Sequence, residues 1–298
     1  MAWRVVIGYD GSDAGEDAVT FGLTWCRSTG DVPVVATVYP EEHPLGAGRV
    51  DAEWAAYVRK LGQETLDKAQ GVASDAAIYR LVASTSPPRG LADLAEDVDA
   101  AAVLVGSSRK NQAGGGWLGS VADRLLHGAT VPVCVVPEDW QAPDSGVISK
   151  IGVAFVDTKD GHEALRAAVR AANRIPAQLR LYSVVARSTE HYSYIAGRRD
   201  EQVFYDAARA SYTQAMDYAL AGVPPELEAE AVLLEGDVVE QLAELGPDDV
   251  DMLVCGSRGY GPIRRVLLGG VSARLVRRSQ LPVMVVPRAS AGSSTTED

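Results

Sequence analysis

The sequence predicts an α/β protein made of two doubly wound domains, each with a five-stranded parallel sheet sandwiched by helices. Short apolar runs alternate strictly with stretches of helical periodicity, which is the pattern of a parallel sheet. The same motif positions also return 150 residues later in the chain of 298 residues, which indicates two copies of one domain. The repeated positions are Gly106 and Gly256, Gly119 and Gly269, and Pro132 and Pro282.

The first half contains five apolar runs that are predicted as buried strands and four stretches predicted as helices. The predicted strands are residues 4–7, 32–38, 76–82, 101–105 and 131–136. The predicted helices are residues 14–26, 52–72, 90–98 and 120–127. Because each strand is followed by a helix, right-handed crossovers arrange them as a doubly wound sheet.

The second half repeats this order. Its predicted strands are residues 151–154, 179–185, 228–234, 252–255 and 283–286, and its predicted helices are residues 163–173, 201–221, 238–245 and 271–279. We therefore expect one domain over residues 1–138 and another over residues 148–288. The polar residues 139–147, with Pro143 and Gly146, are predicted as the linker. Residues 289–298, rich in Ser and Thr, are predicted as a disordered tail.

Composition limits which classes of partner and which cellular compartment fit this protein. The formal net charge of −12 argues against nucleic acid or an anionic membrane as the main partner, because both would repel the chain. Cys26, Cys134 and Cys255 each lie in an apolar segment, which indicates buried thiols in a reducing compartment. No apolar run approaches the roughly 18 residues that a membrane span needs. We expect a cytoplasmic protein.

The candidate binding site follows the strands at their carboxyl ends, where doubly wound sheets bind ligands. Glycine-rich turns let main-chain amides approach a phosphate, and a helix N-terminus adds unpaired N–H donors. The second-half candidates are Gly256, Ser257, Arg258, Gly259, Gly261, Gly269, Gly270, Val271 and Ser272. The first-half candidates are Gly106, Gly119, Ser120 and Val121. The alternative is that these glycines only form tight turns.

The two loops resemble the ATP-binding members of the universal stress protein family, which carry Gly-x-x-Gly, nine residues, and then Gly followed by Ser or Thr. The resemblance covers the whole chain as a tandem pair. It includes Asp10-Gly11-Ser12 after the first strand and a closing Pro-Val-x-Val-Val strand in each half. It implies an adenine nucleotide alpha hydrolase-like fold, with Asp10 and Asp157 on the adenine side and the glycine loops on ribose and phosphates.

The resemblance also implies the ligand and the partners. The ligand is ATP with Mg²⁺, while AMP or a cyclic nucleotide stays open because loop geometry determines how many phosphates fit. In the family the closing strand pairs with that of another copy, which implies an intramolecular pseudo-dimer of the two halves here. A further homodimer of the whole chain stays open. The implied role is that of a stress-response sensor or regulator.

Each copy departs from the family pattern at a different place. In the first half Arg109 replaces the second glycine of the loop. In the second half Gly270 replaces the hydroxyl residue, and Asp157 is followed by Thr158 and Lys159 rather than Gly-Ser. In the first half, the Arg109 side chain stands where the backbone should meet phosphate, although its charge could instead pair with the ligand. In the second half, loss of the hydroxyl keeps the backbone N–H donor and removes only one hydrogen bond, worth about 1 kcal/mol. The sequence therefore ranks the second half as the better nucleotide site.

Catalytic motifs are missing from the sequence. It has no phosphate-binding Gly-x-x-x-x-Gly-Lys-Ser/Thr, no complete dinucleotide fingerprint and no Gly-x-Ser-x-Gly nucleophile turn. The four histidines, interpreted as surface or capping residues, are His43, His127, His162 and His191. We expect a binding protein with no metal site of its own and at most slow ATP hydrolysis. The alternative is a nucleotide-independent scaffold whose loops are relics.

Overall fold

The computed structural model describes residues 2–41, 49–73, 77–107, 118–186, 198–257 and 269–287. The strands are β1 (Arg4–Gly8), β2 (Val32–Pro40), β3 (Ile78–Ser84), β4 (Ala100–Ser107), β5 (Val133–Pro137), β6 (Lys150–Ala154), β7 (Gln178–Val185), β8 (Ala229–Glu235), β9 (Met252–Gly256) and β10 (Val283–Val286). The helices are α1 (Asp13–Thr29), α2 (Arg49–Ala73), α3 (Pro87–Asp97), α4 (Ser120–Gly128), α5 (Lys159–Ala172), α6 (Arg198–Ala221), α7 (Val238–Ala243) and α8 (Gly270–Arg278).

The ten strands of the described residues form one sheet in the order β3-β2-β1-β4-β5-β10-β9-β6-β7-β8. Pairing within each half is parallel, which confirms the predicted fold class. The closing strands β5 and β10 pair antiparallel, with Met284 opposite Cys134. The two halves are thus joined through their closing strands, and the strands run in opposite senses on either side of that junction.

Several helices begin earlier than the sequence predicts, because polar or proline residues start them ahead of the first apolar position. Helix α5 begins at Lys159 since the hydroxyl of Thr158 accepts a hydrogen bond from the N–H of Gly161, 3.2 Å away. Helix α3 begins at Pro87, and proline suits the first helical turn because it has no N–H to leave unpaired. Among the described helices, none is both long and apolar enough to cross a membrane.

Two apolar clusters pack on the two faces of the sheet, and each contains residues from both halves. Side chains alternate between faces along β1, so that Val5 and Ile7 belong to one cluster and Val6 to the other. The three cysteines are free thiols buried in these clusters. The core is therefore continuous across the junction on both faces.

The segment predicted as a polar linker, residues 139–147, packs along α1. Trp140 is 7% exposed, and its ring meets that of Phe21 edge-on, with 5.1 Å between the centroids. Further along, the N–H of Ile148 donates to the hydroxyl of Ser28 over 2.8 Å. Trp140 thus fixes a connection that composition alone marks as polar.

A buried ion pair also joins the halves. The side chain of Asp31, after α1, is 2% exposed and accepts two hydrogen bonds from Arg174, after α5, at 3.0 and 2.6 Å. The same guanidinium donates to the carbonyl of Thr29 over 2.9 Å and lies 4.6 Å from the centre of the Trp3 ring. Asp31 also accepts the N–H of Trp3. One side chain of the second half therefore completes a hydrogen-bonded cluster of the first.

We expect Arg174→Ala to lower the free energy of unfolding by about 3 kcal/mol, because it leaves the Asp31 carboxylate buried without its counter-ion. Arg174→Lys keeps the charge but loses the two-pronged hydrogen bonding, so its loss should be smaller. The control is Arg166→Ala, which removes a pair with Glu163 from an arginine that is 55% exposed and should cost less than about 1 kcal/mol. Urea unfolding measures all three. An unchanged midpoint for Arg174→Ala would contradict this role.

Candidate functional site

The first glycine of each loop is required by packing between a strand and a helix. A Cβ at Gly106 would overlap the main-chain carbonyl of Ala14, in the first turn of α1. A Cβ at Gly256 would overlap the carbonyl of Asp160, in the first turn of α5. Glycine at both positions therefore follows from the fold itself. These two residues place the loops but do not by themselves indicate a ligand.

A cavity of about 260 Å³ lies in the first half, at the carboxyl ends of β1, β2 and β4 and beside the first turns of α1 and α4. This is the position where doubly wound sheets bind ligands. The cavity brings together most of the first-half residues that the sequence singles out. They are Asp10, Ser12, Gly106, Gly119, Ser120 and Val121.

The Asp10-Gly11-Ser12 turn holds a carboxylate at the edge of this cavity. Asp10 Oδ1 accepts the main-chain N–H of Ser12 over 3.0 Å and also its hydroxyl. The Ser12 hydroxyl in turn accepts the N–H of Gly15 over 3.1 Å and so caps α1. Gly11 has a φ of +81°, a left-handed conformation that favours glycine. Gly11 and Ser12 together therefore fix the position of the Asp10 carboxylate.

Helix α4 presents an uncapped N-terminus to the cavity. Its N-cap is Gly119, which supplies no side-chain hydrogen bond, and residues 119–122 all line the cavity. A Cβ at Gly119 would meet no atom within 4 Å. The first N–H groups of a helix lack partners within the helix, and an anion can accept from them. This end of the cavity suits a phosphate or carboxylate.

The second half corresponds to the first with an offset of 146 residues at this turn. Thr158 caps α5 through Gly161 as Ser12 caps α1 through Gly15. The residue two positions before the cap is Asp10 in the first half, and in the second half it is Val156.

Asp157 therefore lies one residue beyond the position of Asp10, which corrects the pairing of these two carboxylates from sequence. Asp157 Oδ1 lies 2.8 Å from Nε2 of His162 in the first turn of α5. The His162 ring also meets Phe155 edge-on, with 5.3 Å between the ring centroids. The sequence analysis did not predict this pair. The signal for it is an Asp that precedes a His by five residues, with the start of a helix between them. Val156, 41% exposed, puts an apolar side chain where the first half has a carboxylate.

The second-half loop is anchored at both of its described ends. Ser272, in the first turn of α8, donates its hydroxyl to the carbonyl of Gly256 over 2.9 Å. The hydroxyl of Ser257 is buried, and within the described part of the chain it has no hydrogen-bond partner. Helix α8 begins at Gly270 after the N-cap Gly269, again without a side-chain cap. The strand end and the helix N-terminus are thus held next to each other.

Several predicted features lie outside the described residues. They are Arg109, Arg258, Gly259, Gly261, His43, His191 and the tail at 289–298. Val271 is described and lies in the first turn of α8, while the hydroxyl of Ser272 is engaged with Gly256.

The remaining reactive groups are not arranged for metal or thiol chemistry. Burial raises the pKa of the Cys26 and Cys255 thiols to about 12, so both stay protonated at neutral pH. Within residues that the structure describes, no three His, Cys, Asp or Glu side chains converge to hold a metal ion.

Comparison with known proteins gives a consistent result over nearly the full length. A universal stress protein of Mycobacterium tuberculosis is 25% identical over 290 residues, which covers 95% of this chain and 99% of the relative. The structure of a universal stress protein from Archaeoglobus fulgidus has a TM-score of 0.68 at 19% identity and covers 96% of this chain and 98% of that one. A protein of unknown function from Pseudomonas aeruginosa has a TM-score of 0.62 at 13% identity, with 96% and 92% covered.

The two structural matches show the fold, and the family is shown by sequence. The sequence profile of the universal stress protein family matches this chain twice, at residues 1–137 and at residues 148–287. The chain therefore belongs to the universal stress protein family and carries two of the family's domains in tandem.

Proposed function

We propose that this protein binds an adenine nucleotide, ATP with Mg²⁺ ahead of AMP, and acts as a sensor or regulator in a stress response. The observation that carries the proposal is the first-half cavity, which joins the Asp10 carboxylate to the uncapped N-terminus of α4. Its volume of about 260 Å³ is close to the lower limit of small-molecule sites, about 300 Å³. It lies at the edge of the sheet where this fold binds nucleotides.

The two ends of the cavity suit opposite ends of a nucleotide. An ionised carboxylate only accepts hydrogen bonds, so Asp10 matches the amino group of adenine or a ribose hydroxyl and repels phosphate. The first N–H groups of α4 lack partners within the helix and only donate, so they match phosphate oxygens. This polarity supports binding with the base toward β1 and the phosphates toward α4.

The second half offers a different balance of contacts. Its helix α8 has the same uncapped N-terminus, and the buried hydroxyl of Ser257 lies at the strand end beside it. Val156 replaces the carboxylate at the base end and offers an apolar contact instead. We therefore propose a second nucleotide site there, with phosphate contacts like those of the first site and a different base end. Loop composition ranks this site as the tighter one.

A nucleotide-independent scaffold is the second candidate. It is favoured by the finding that Gly106 and Gly256 are required by helix packing, so their presence in both halves does not need a ligand. In that case the two joined domains would act through their surfaces alone.

We expect two binding events for Mg-ATP, one in each half. Gly119→Asp should abolish the first-half event or weaken it by at least about tenfold, and Gly269→Asp should do the same to the second-half event. Both glycines have φ and ψ angles that other residues adopt, and Asp is a favoured N-cap, so the fold should be kept. The new carboxylate would occupy the helix N-terminus and repel phosphate. Isothermal titration of each variant and of the double variant measures the loss.

The matched control is Gly128→Asp, which adds the same charge in the last turn of α4, away from the cavity. It should titrate like the wild type. The single variant that loses the binding event with the lower dissociation constant identifies the tighter site. Equal heats in the wild type and the double variant would contradict both site assignments.

Purification from cells under native conditions separates the nucleotide proposal from the scaffold. We expect native mass spectrometry to show bound ATP or AMP in near-stoichiometric amount, released on denaturation. The double variant Gly119→Asp/Gly269→Asp should carry none. A wild-type protein that carries no nucleotide and gives no heat with Mg-ATP would favour the scaffold and overturn the nucleotide proposal.

A further inference from the structure

Helices α2 and α6 occupy equivalent places in the two halves, and each packs on the outer strands of its own half. Leu66 and Ala69 of α2 are buried, as are Met216 and Ala219 of α6, each pair 150 residues apart. This offset relates every position of one helix to a position of the other. Differences between their outer faces are therefore differences between two copies of one surface.

Helix α6 carries a row of exposed residues on one face, which we call the α6 stripe. Its members are Phe204, Ala207, Ser211, Gln214 and Tyr218, and all five are exposed. Their spacing of three and four residues places them in one line along the helix. Phe204 is 74% exposed and Tyr218 is 79% exposed. The stripe contains no ionisable carboxylate or amine, although charged residues make up 23% of the chain.

The equivalent row on α2 differs because it includes charged residues. It also begins with an exposed aromatic residue, Trp54, which is 55% exposed and contacts Tyr57 on the same helix with 5.6 Å between the ring centroids. It ends, however, in Glu64 and Lys68, whose charges favour water over a protein partner. Only one of these two copies of the surface thus has an uncharged face along its whole row.

The α6 stripe is complementary to itself in the antiparallel direction. Phe204 and Tyr218 each lie seven residues from Ser211, one on either side. Two helices related by a two-fold axis at Ser211 would place Phe204 of each against Tyr218 of the other. Ala207 and Ser211 are small, so the helices can approach closely between the aromatic pairs. We propose that two copies of this protein associate through antiparallel contact of their α6 stripes.

The available area fits a reversible dimer. Phe204 and Tyr218 lie 14 positions apart, which is about 21 Å along the helix. Four aromatic side chains at about 150 Å² each would be the main apolar surface buried, within an interface of about 1,000 Å². Such an interface lies at the lower end of specific contacts, and its dissociation constant should be micromolar. The proposal does not depend on nucleotide binding, because the stripe contains none of the site residues.

Sedimentation velocity from about 1 to about 200 µM tests the proposal, a range that brackets a micromolar constant. The wild type should change from monomer to dimer over this range. Phe204→Glu should raise the dissociation constant by at least about tenfold, and Trp54→Glu, the matched change on α2, should leave it unchanged. A wild type that stays monomeric, or Trp54→Glu that weakens association equally, overturns the proposal.

A cross-link tests the register. Ser211→Cys places a thiol on the two-fold axis, so oxidation should join two copies through a disulfide at micromolar protein concentration. The native cysteines are buried and should not compete. Leu61→Cys, the equivalent exposed position on α2, should stay monomeric on a denaturing, non-reducing gel. Equal cross-linking of both variants, or none for Ser211→Cys, contradicts antiparallel contact centred on this residue.

Discussion

The antiparallel pairing of β5 with β10 is the constraint on which the rest of the structure depends. Residues 133–135 and 283–285 are buried there, and through them two five-stranded sheets become one. Apolar packing then continues across the junction on both faces, while Arg174 and Asp31 lock the halves together at a second point. Because the pairing satisfies the main-chain edges of both closing strands, neither strand is open to another chain. Any contact between two copies therefore has to use a surface other than these two strands.

The glycine loops show that the residues of one sequence motif can have different physical causes. Gly106 and Gly256 leave room for a helix carbonyl, so the fold would require them in a protein that binds nothing. Gly119 is different, since a side chain there would meet no atom within 4 Å and the main chain does not require glycine. The absence of a side chain at that position keeps the helix N-terminus open to the cavity. Steric contacts thus separate Gly106 and Gly256, which the fold requires, from Gly119, which it does not require.

The fold could be predicted closely because its signals are local and repeated. The strand at Val283–Val286 lies where its apolar run predicts. Because the chain is duplicated, each element is also predicted twice, once in each half. Contacts between distant residues could not be predicted, because nothing in the composition pairs Asp31 with a residue 143 positions away. The cavity of the first half gathers residues that the sequence singles out, whereas the alignment of the turn after β6 could not be predicted. There, matching by residue type aligned Asp10 with Asp157, whereas the helix caps align it with Val156.

That one-residue correction changes how the two proposed sites differ. The first half keeps the carboxylate of Asp10 at the base end, but its loop carries Arg109 in place of the second glycine. The second half keeps the loop glycines but has Val156 at the base end, and beside it Asp157 is engaged with His162. The copies have therefore diverged at opposite ends of the proposed site. Tight phosphate contact and polar recognition of a base are then divided between the halves, so the two sites should differ in selectivity as well as in affinity.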